Sequence, residues 1–224
     1  MIDLFQITGS ASFATRAALE EGGIPYTVHD VHPKRRDETP GFAEANPLRR
    51  VGTIRDGDVA VYETGAILLY LTERFPEAKL GPLPGEPGRA NYLRWITYCS
   101  TTLHEIWAPI QSPGRYLTDD PDGIPGIERK GRERIATAGA YLEGELAGRE
   151  WCLGDRFSAA DIYLYMLTGW QHYNADGTQL GGGNVQAHYA RVGARPAIAR
   201  TRELDDLDER FQRRHPELRG GKPV

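Results

Sequence analysis

Residues 46–71 read NPLRRVGTIRDGDVAVYETGAILLYL, and the order of elements in the chain follows from this stretch. Two short β-branched runs, Val51–Ile54 and Val59–Tyr62, flank Asp56-Gly57, a dipeptide that favours a tight hairpin turn. From Thr64 the apolar spacing changes from strand-like to helical, so the stretch predicts strand, turn, strand, helix. Glu63-Thr64 stands at the corner where that helix opens. Thr64 there is either a plain N-cap or a ligand site, its hydroxyl and the free N–H groups of the first turn holding a small carboxylate.

Working outward, Ile2–Ile7 alternates as a first strand and Thr8-Gly9-Ser10-Ala11-Ser12 breaks it before the helical run Phe13–Glu21. Gly22-Gly23-Ile24-Pro25 stops that helix, and Tyr26–Val31 alternates as a second strand. A short helix around Gly41–Ala45 ends at Asn46-Pro47. The N-terminal order is therefore βαβαββα. Residues 76–87, PEAKLGPLPGEP, read as a linker without apolar period. Everything beyond it is helical in pattern, with long amphipathic helices over Gly88–Ile110 and Ile127–Ala147 as antiparallel neighbours in a bundle. Domains are thus expected at 1–78 and 89–210, joined by a linker at 79–88 and followed by a polar tail at 211–224.

Within WCLGDRFSAADIYLYMLTGW, residues 151–170, Ser158 and Asp161 have the spacing of a capping box ahead of a helix apolar on every side. Such a helix is buried, and its first N–H groups need internal partners, which Ser158 and Asp161 supply. Gly181-Gly182-Gly183 follows no strand, so it is not a dinucleotide-phosphate loop. Arg195-Pro196-Ala197-Ile198 opens the last clear helix.

Composition narrows the partners. The 224 residues carry 27 Lys+Arg against 31 Asp+Glu, a formal charge of −4, and offer no footprint for nucleic acid or an anionic membrane. Cys99 and Cys152 lie in apolar helical segments and read as reduced, buried thiols. With no apolar run of 18 residues and no leader pattern, a soluble cytoplasmic protein is expected. His29 and His32 make no metal set, and no metal is expected.

The MIDLF start with its Gly-Ser loop, the run Asn46–Ile54, the motif Glu63-Thr64-Gly65-Ala66-Ile67 and the run Gly154 to Asp161 together resemble the cytosolic glutathione S-transferases. The resemblance covers about Met1 to Leu207. It implies a thioredoxin-like α/β domain followed by an all-α bundle, glutathione as co-substrate, a small electrophile as partner and a homodimer. Chemically it implies attack by the glutathione thiolate. A free thiol has a pKa of about 8.5, so a hydroxyl and helix N-terminal N–H groups beside the sulfur must favour the anion.

In serine-using members that hydroxyl sits in the loop after the first strand, where both Ser10 and Ser12 fit and no tyrosine does. The bacterial subgroup with Gly-Ala-Cys-Ser in this loop is also similar, but its cysteine falls on Ala11, which excludes reductase chemistry by mixed disulfide. Val51, Glu63 and Thr64 are the implied glutathione contacts, with Arg49 and Arg50 near the glycine carboxylate. The run Leu103–Pro109 looks like the first bundle helix of that subgroup, so His104, Trp107 and Tyr116 are the residues implied for the electrophile pocket. One departure stands out: the family's Val-Pro turn is Val51-Gly52 here. A cis bond before a residue other than proline costs about 2.5–4 kcal/mol, so the expectation is a trans loop and altered glutathione binding. A non-catalytic binding or regulatory module on the same fold is the alternative function.

Overall fold

The computed structural model describes residues 1–117, 120–174 and 176–206; the expected polar tail, 211–224, lies outside them. Its first unit is a four-stranded sheet of order β2-β1-β3-β4, with β1 at Ile2–Gln6, β2 at Tyr26–Asp30, β3 at Thr53–Asp56 and β4 at Val59–Tyr62. β1 runs parallel to β2 and antiparallel to β3, and β3 antiparallel to β4. The parallel pair is joined by a helix, α1 (Ser12–Glu21), as parallel connection requires. β3 and β4 turn through Gly57-Asp58, where Gly57 has a φ of 60° that glycine adopts without steric cost. The third strand begins at Thr53 and not at Val51, because residues 51–52 form a turn ahead of it.

Alternation along the strands divides the apolar residues between two faces. Ile2, Leu4 and Ile54 pack with α1 and α3 (Thr64–Arg74), while Phe5 faces Val31, Phe42 and Ala45 beside the short helix α2 (Phe42–Ala45). The result is the βαβαββα order with helices on both sides of the sheet.

The second unit is helical. α4 (Arg89–Tyr98) runs into a π-helical turn at Cys99–Leu103 and then α5 (His104–Ile106) and α6 (Ala108–Gln111), so the long helix expected over 88–110 is interrupted and changes phase just before His104. Its antiparallel partner is α7 (Ile124–Leu146): Arg94 meets Glu145, Tyr98 meets Tyr141, and Gly131 lies under Ile110. α8 (Ala159–Gly169) is buried almost throughout, and α9 (Gly183–Gly193) and α10 (Pro196–Leu204) complete the bundle.

Polar groups hold the start of α8. Asp161, fully buried, accepts from the Ser158 N–H at 2.8 Å, the Ser158 hydroxyl at 3.1 Å and the Cys152 N–H at 2.7 Å, with His188 Nε2 at 2.9 Å. Cys152, Asp161 and His188 bring three potential metal-ligand atoms within 4.8 Å of one another, but this carboxylate already serves four partners as a cap. The triple glycine precedes α9, whose first N–H groups point at Glu143: Gly182, Asn184 and Val185 donate to it at 2.7–3.0 Å. A carboxylate of the protein itself occupies that helix N-terminus. No described helix is long and apolar enough to cross a membrane.

Candidate active site

Beside the C-terminal edge of β1 a cleft of about 140 Å³ lies between the sheet domain and the bundle. Its sheet side is built by the loop that leads into β3 and by the corner between β4 and α3. Buried Asn46 organises the loop, donating to the Arg50 carbonyl at 2.7 Å and the Thr53 hydroxyl at 2.9 Å while its own carbonyl accepts from the Leu48 N–H at 2.9 Å. These bonds hold Arg50, Val51 and Gly52 on the cleft wall.

The Val51-Gly52 bond is cis, which corrects the trans loop expected from the missing proline. The neighbours account for the correction. Gly52 is buried against the first turn of α1, where even a Cβ would stand 3.3 Å from Ser12 Cα and 3.1 Å from the Thr15 hydroxyl, and Asn46 and Thr53 both bond the carbonyl of Arg50. The turn is fixed by packing on one side and by hydrogen bonds on the other.

At the second corner, Glu63 has φ 72° and ψ 118°, a left-handed backbone that a non-glycine residue rarely adopts. Glu63 occupies the cap position and makes no side-chain cap; Thr64 is the first helical residue and is nearly buried. The opening N–H groups of α3 are therefore not satisfied by a capping side chain, and the residues that carry them, Thr64 and Gly65, line the cleft. A non-glycine residue held in this region costs on the order of 1–3 kcal/mol, the kind of local strain that clusters at ligand clamps.

The bundle contributes Ser100, His104, Glu105 and Tyr163 to the other wall. His104 Nδ1 lies 3.2 Å from the Tyr163 hydroxyl, and its ring stands edge-on to Trp170 with centroids 4.9 Å apart. Tyr163 lines the cleft together with Ser100 and Thr64, so its side chain stands where the two domains meet. Burial pushes the His104 pKa below its usual 6.5 against the opposing pull of Glu105 and Glu63, which keeps the imidazole neutral at neutral pH. Burial likewise raises the Tyr163 pKa. Arg50 makes no ion pair with a described carboxylate, in contrast to Arg49, which bonds Asp37.

Of the residues singled out in the sequence, Val51, Glu63, Thr64 and His104 meet in this cleft. Ser10 and Ser12 lie next to it, with Ala11 between them on the lining. Ser12 is buried and donates to the Ile7 carbonyl at 3.0 Å; Ser10 Oγ lies 2.9 Å from Ser12 Oγ and accepts from the Ser12 N–H at 3.2 Å. Trp107 is wholly buried in the core, and Tyr116 is 46% exposed in the turn after α6, so neither lines the cleft. Asn46, Ser100 and Tyr163 were not legible as site residues. The signal for Tyr163 was a hydroxyl in a largely apolar helix, which Tyr165 and Thr168 share; Ser100 lies within the π turn, which the sequence did not show.

A larger groove, about 490 Å³, runs between the α4–α5 segment and α7 beside Tyr98, Ile106 and Tyr141. It holds none of the helix N-termini or clustered polar groups of the cleft.

These features together define a thioredoxin-like sheet with a helical bundle and a polar cleft between them. Residues 4–79 match the family described as "Glutathione S-transferase, N-terminal domain", and residues 111–191 match "Glutathione S-transferase, C-terminal domain". The chain belongs to the glutathione S-transferase family. It is 28% identical over 171 residues to a glutathione S-transferase of Xanthomonas campestris, covering 75% of this chain and 82% of that one. To glutathione S-transferase GstA of Escherichia coli it is 26% identical over 201 residues, covering 87% and 94%. Among solved structures, a sphingomonad glutathione S-transferase complexed with glutathione is similar at a TM-score of 0.78 and 27% identity, over 92% of this chain and 99% of that one.

Proposed function

We propose that the protein is an enzyme that transfers glutathione to a small electrophile. The observation that carries this reading is the cleft itself: N–H groups of α3 without a side-chain cap and the Thr64 hydroxyl at one end, the Val51 backbone in the middle and, at the other, Arg50, which has no ion pair among the described residues. Glutathione has complementary groups in the same order, a γ-glutamyl carboxylate, a cysteinyl amide and a glycine carboxylate. Thr64 and the helix end bind the first carboxylate, Glu63 the adjacent ammonium, Val51 the cysteinyl backbone and Arg50 the last carboxylate. The sulfur then faces Ala11, Ser10 and the N-terminus of α1, with the electrophile entering on the side of His104.

Relatives named glutathione S-transferases and the glutathione complex of the sphingomonad protein support this reading. So does the open groove beside Tyr98 and Tyr141, which suits a homodimer contact, testable by sedimentation. A cytoplasmic location is in keeping with the family. Retention on immobilised glutathione followed by turnover of a chlorodinitrobenzene tests the activity. A second reading, a non-catalytic module, is favoured by one observation, the mutual engagement of Ser10 and Ser12. Retention without turnover, lost on Thr64→Ala, would identify the module.

A further inference from the structure

In the proposed complex the glutathione sulfur faces the loop between β1 and α1, and a misplacement of about 1 Å at such a contact can cost about 100-fold in rate. The loop has bonds of its own. Its Ser10 N–H donates to the Ile7 carbonyl at 3.1 Å and closes a four-residue turn in which Gly9 has a left-handed φ of 72°. The Ser12 hydroxyl donates to the same carbonyl at 3.0 Å, and Ser10 Oγ lies 2.9 Å from Ser12 Oγ. All of these contacts run between residues 7 and 12, so they fix the shape of the loop and leave its place in the molecule to other groups.

The segment after α10 supplies one. Asp205 is wholly buried; its Oδ2 lies 3.5 Å from the Gly9 N–H nitrogen, and its Oδ1 accepts from Arg16 Nη1 at 2.8 Å. Arg16 stands one helical turn beyond Ser12 on α1 and donates also to the Leu204 carbonyl at 3.3 Å and, through Nε, to the Tyr26 hydroxyl at 3.1 Å. A guanidinium and a carboxylate pair most strongly through two parallel hydrogen bonds. Here the carboxylate oxygens are divided, Oδ1 towards α1 and Oδ2 towards the turn that precedes it. Burying a carboxylate is costly unless it is paired, and Arg16 offsets the charge, so the group does not oppose an anion on the cleft side of the loop. Asp205 lies beyond residue 191, where the match to the C-terminal family domain ends, and neither it nor Gly9 lines the cleft.

Resting on the reading that glutathione binds in the cleft, we propose that Asp205 is a positioning residue for the thiol, fixing the Gly9 turn, and with it Ala11 and the first N–H groups of α1, against the sulfur. Asp205 touches neither glutathione nor the electrophile. It acts through Gly9 and Arg16, which stand on either side of Ala11 along the chain, so one carboxylate holds both ends of the segment that carries the reactive loop. The contacts assigned to the two ends of glutathione, at Thr64, Val51 and Arg50, lie on other elements. Loss of Asp205 is therefore felt at the sulfur and in the rate, and much less in binding.

The test compares the wild-type protein with Asp205→Asn and with Glu21→Gln, which loosens the other ion pair between α1 and the bundle without reaching the loop. Asparagine keeps the size of the side chain but sets an amide N–H against either Gly9 or Arg16. Glutathione affinity is measured by calorimetry, ionisation of the bound thiol by its ultraviolet thiolate absorbance, and kcat and KM with chlorodinitrobenzene, all below the unfolding range of each protein. For Asp205→Asn the expected result is glutathione affinity within about threefold, kcat lower by about 10-fold or more, and thiolate absorbance that develops about one pH unit higher. Glu21→Gln should leave all three within about twofold of the wild type. Should the asparagine protein fail to fold, Arg16→Lys, which keeps the charge and frees the carboxylate to turn, carries the same expectation. An unchanged kcat and thiolate titration in the Asp205 or Arg16 variant, or an equal change in Glu21→Gln, overturns the role of Asp205 while leaving the binding site in place. A wild-type protein that binds no glutathione removes the reading on which the inference rests.

Discussion

Thr64 and Gly65 set the character of the cleft at the scale of single residues. Gly65 is held close to the bundle: a Cβ there would overlap the Ser100 hydroxyl and lie 3.2 Å from Ile96 Cγ2. Gly65→Ala should therefore part the seam between α3 and the bundle, with a stability loss of about 1–3 kcal/mol in denaturant titration and weaker glutathione binding. The glycine thus serves close approach of the domains, since its own helical backbone needs no special φ. Thr64 was legible in the sequence because strand, corner and helix follow one another along the chain. Tyr163, which lines the same cleft, was not, since 99 positions separate the two and only the assembled fold makes them neighbours. Gly52 shows the opposite limit. Its identity argued for a trans bond, and the contacts with Ser12 and Thr15 that accompany the cis turn come from another element.

Among the elements, the two helices α8 and α9 show how carboxylates replace missing partners. The Ser158 and Asp161 spacing was readable, but Cys152 and His188, which complete the set on Asp161, come from outside that motif. Glu143 does the same for α9. Burial works to raise its pKa, but the N–H groups of Val185, Asn184 and Gly182 outweigh that and leave it lowered from 4.5. A carboxyl with a depressed folded-state pKa contributes stability at pH values above its unfolded pKa and loses that contribution as the pH falls through the folded one. Glu143→Gln should then cost about 0.5–2 kcal/mol at neutral pH. The gap between the two proteins should close as the pH falls from 4.5 through the lowered value, checked by urea melts in that range. A pH-independent gap would assign the effect to packing. Helix starts of α1 and α7 fell within a few residues of their periodic patterns; the π turn did not show, because apolar spacing of three and four continues across it.

Across the whole molecule, ion pairs away from the cleft also tie the sheet domain to the bundle. Arg16 of α1 pairs with Asp205 just after α10 at 2.8 Å, both nearly or fully buried, and Arg195 pairs with Glu21. Removing one member of a buried pair strands the other, so Asp205→Ala should lower stability by about 3–5 kcal/mol, read as a fall in melting temperature. Two-domain order was legible in the sequence because strand patterns alternate with helical ones only up to the proline- and glycine-rich stretch at 76–87, and helical patterns alone follow it. The interface was not, since its ion pairs join residues 189 and 174 apart. The cleft between the domains carries the functional claim, and calorimetric titration with glutathione tests it most directly. Saturable one-site binding is expected, weakened about 10-fold or more by Thr64→Ala, in keeping with loss of a hydrogen bond to a charged group. No binding, or binding equally strong in the Thr64→Ala protein, would contradict it.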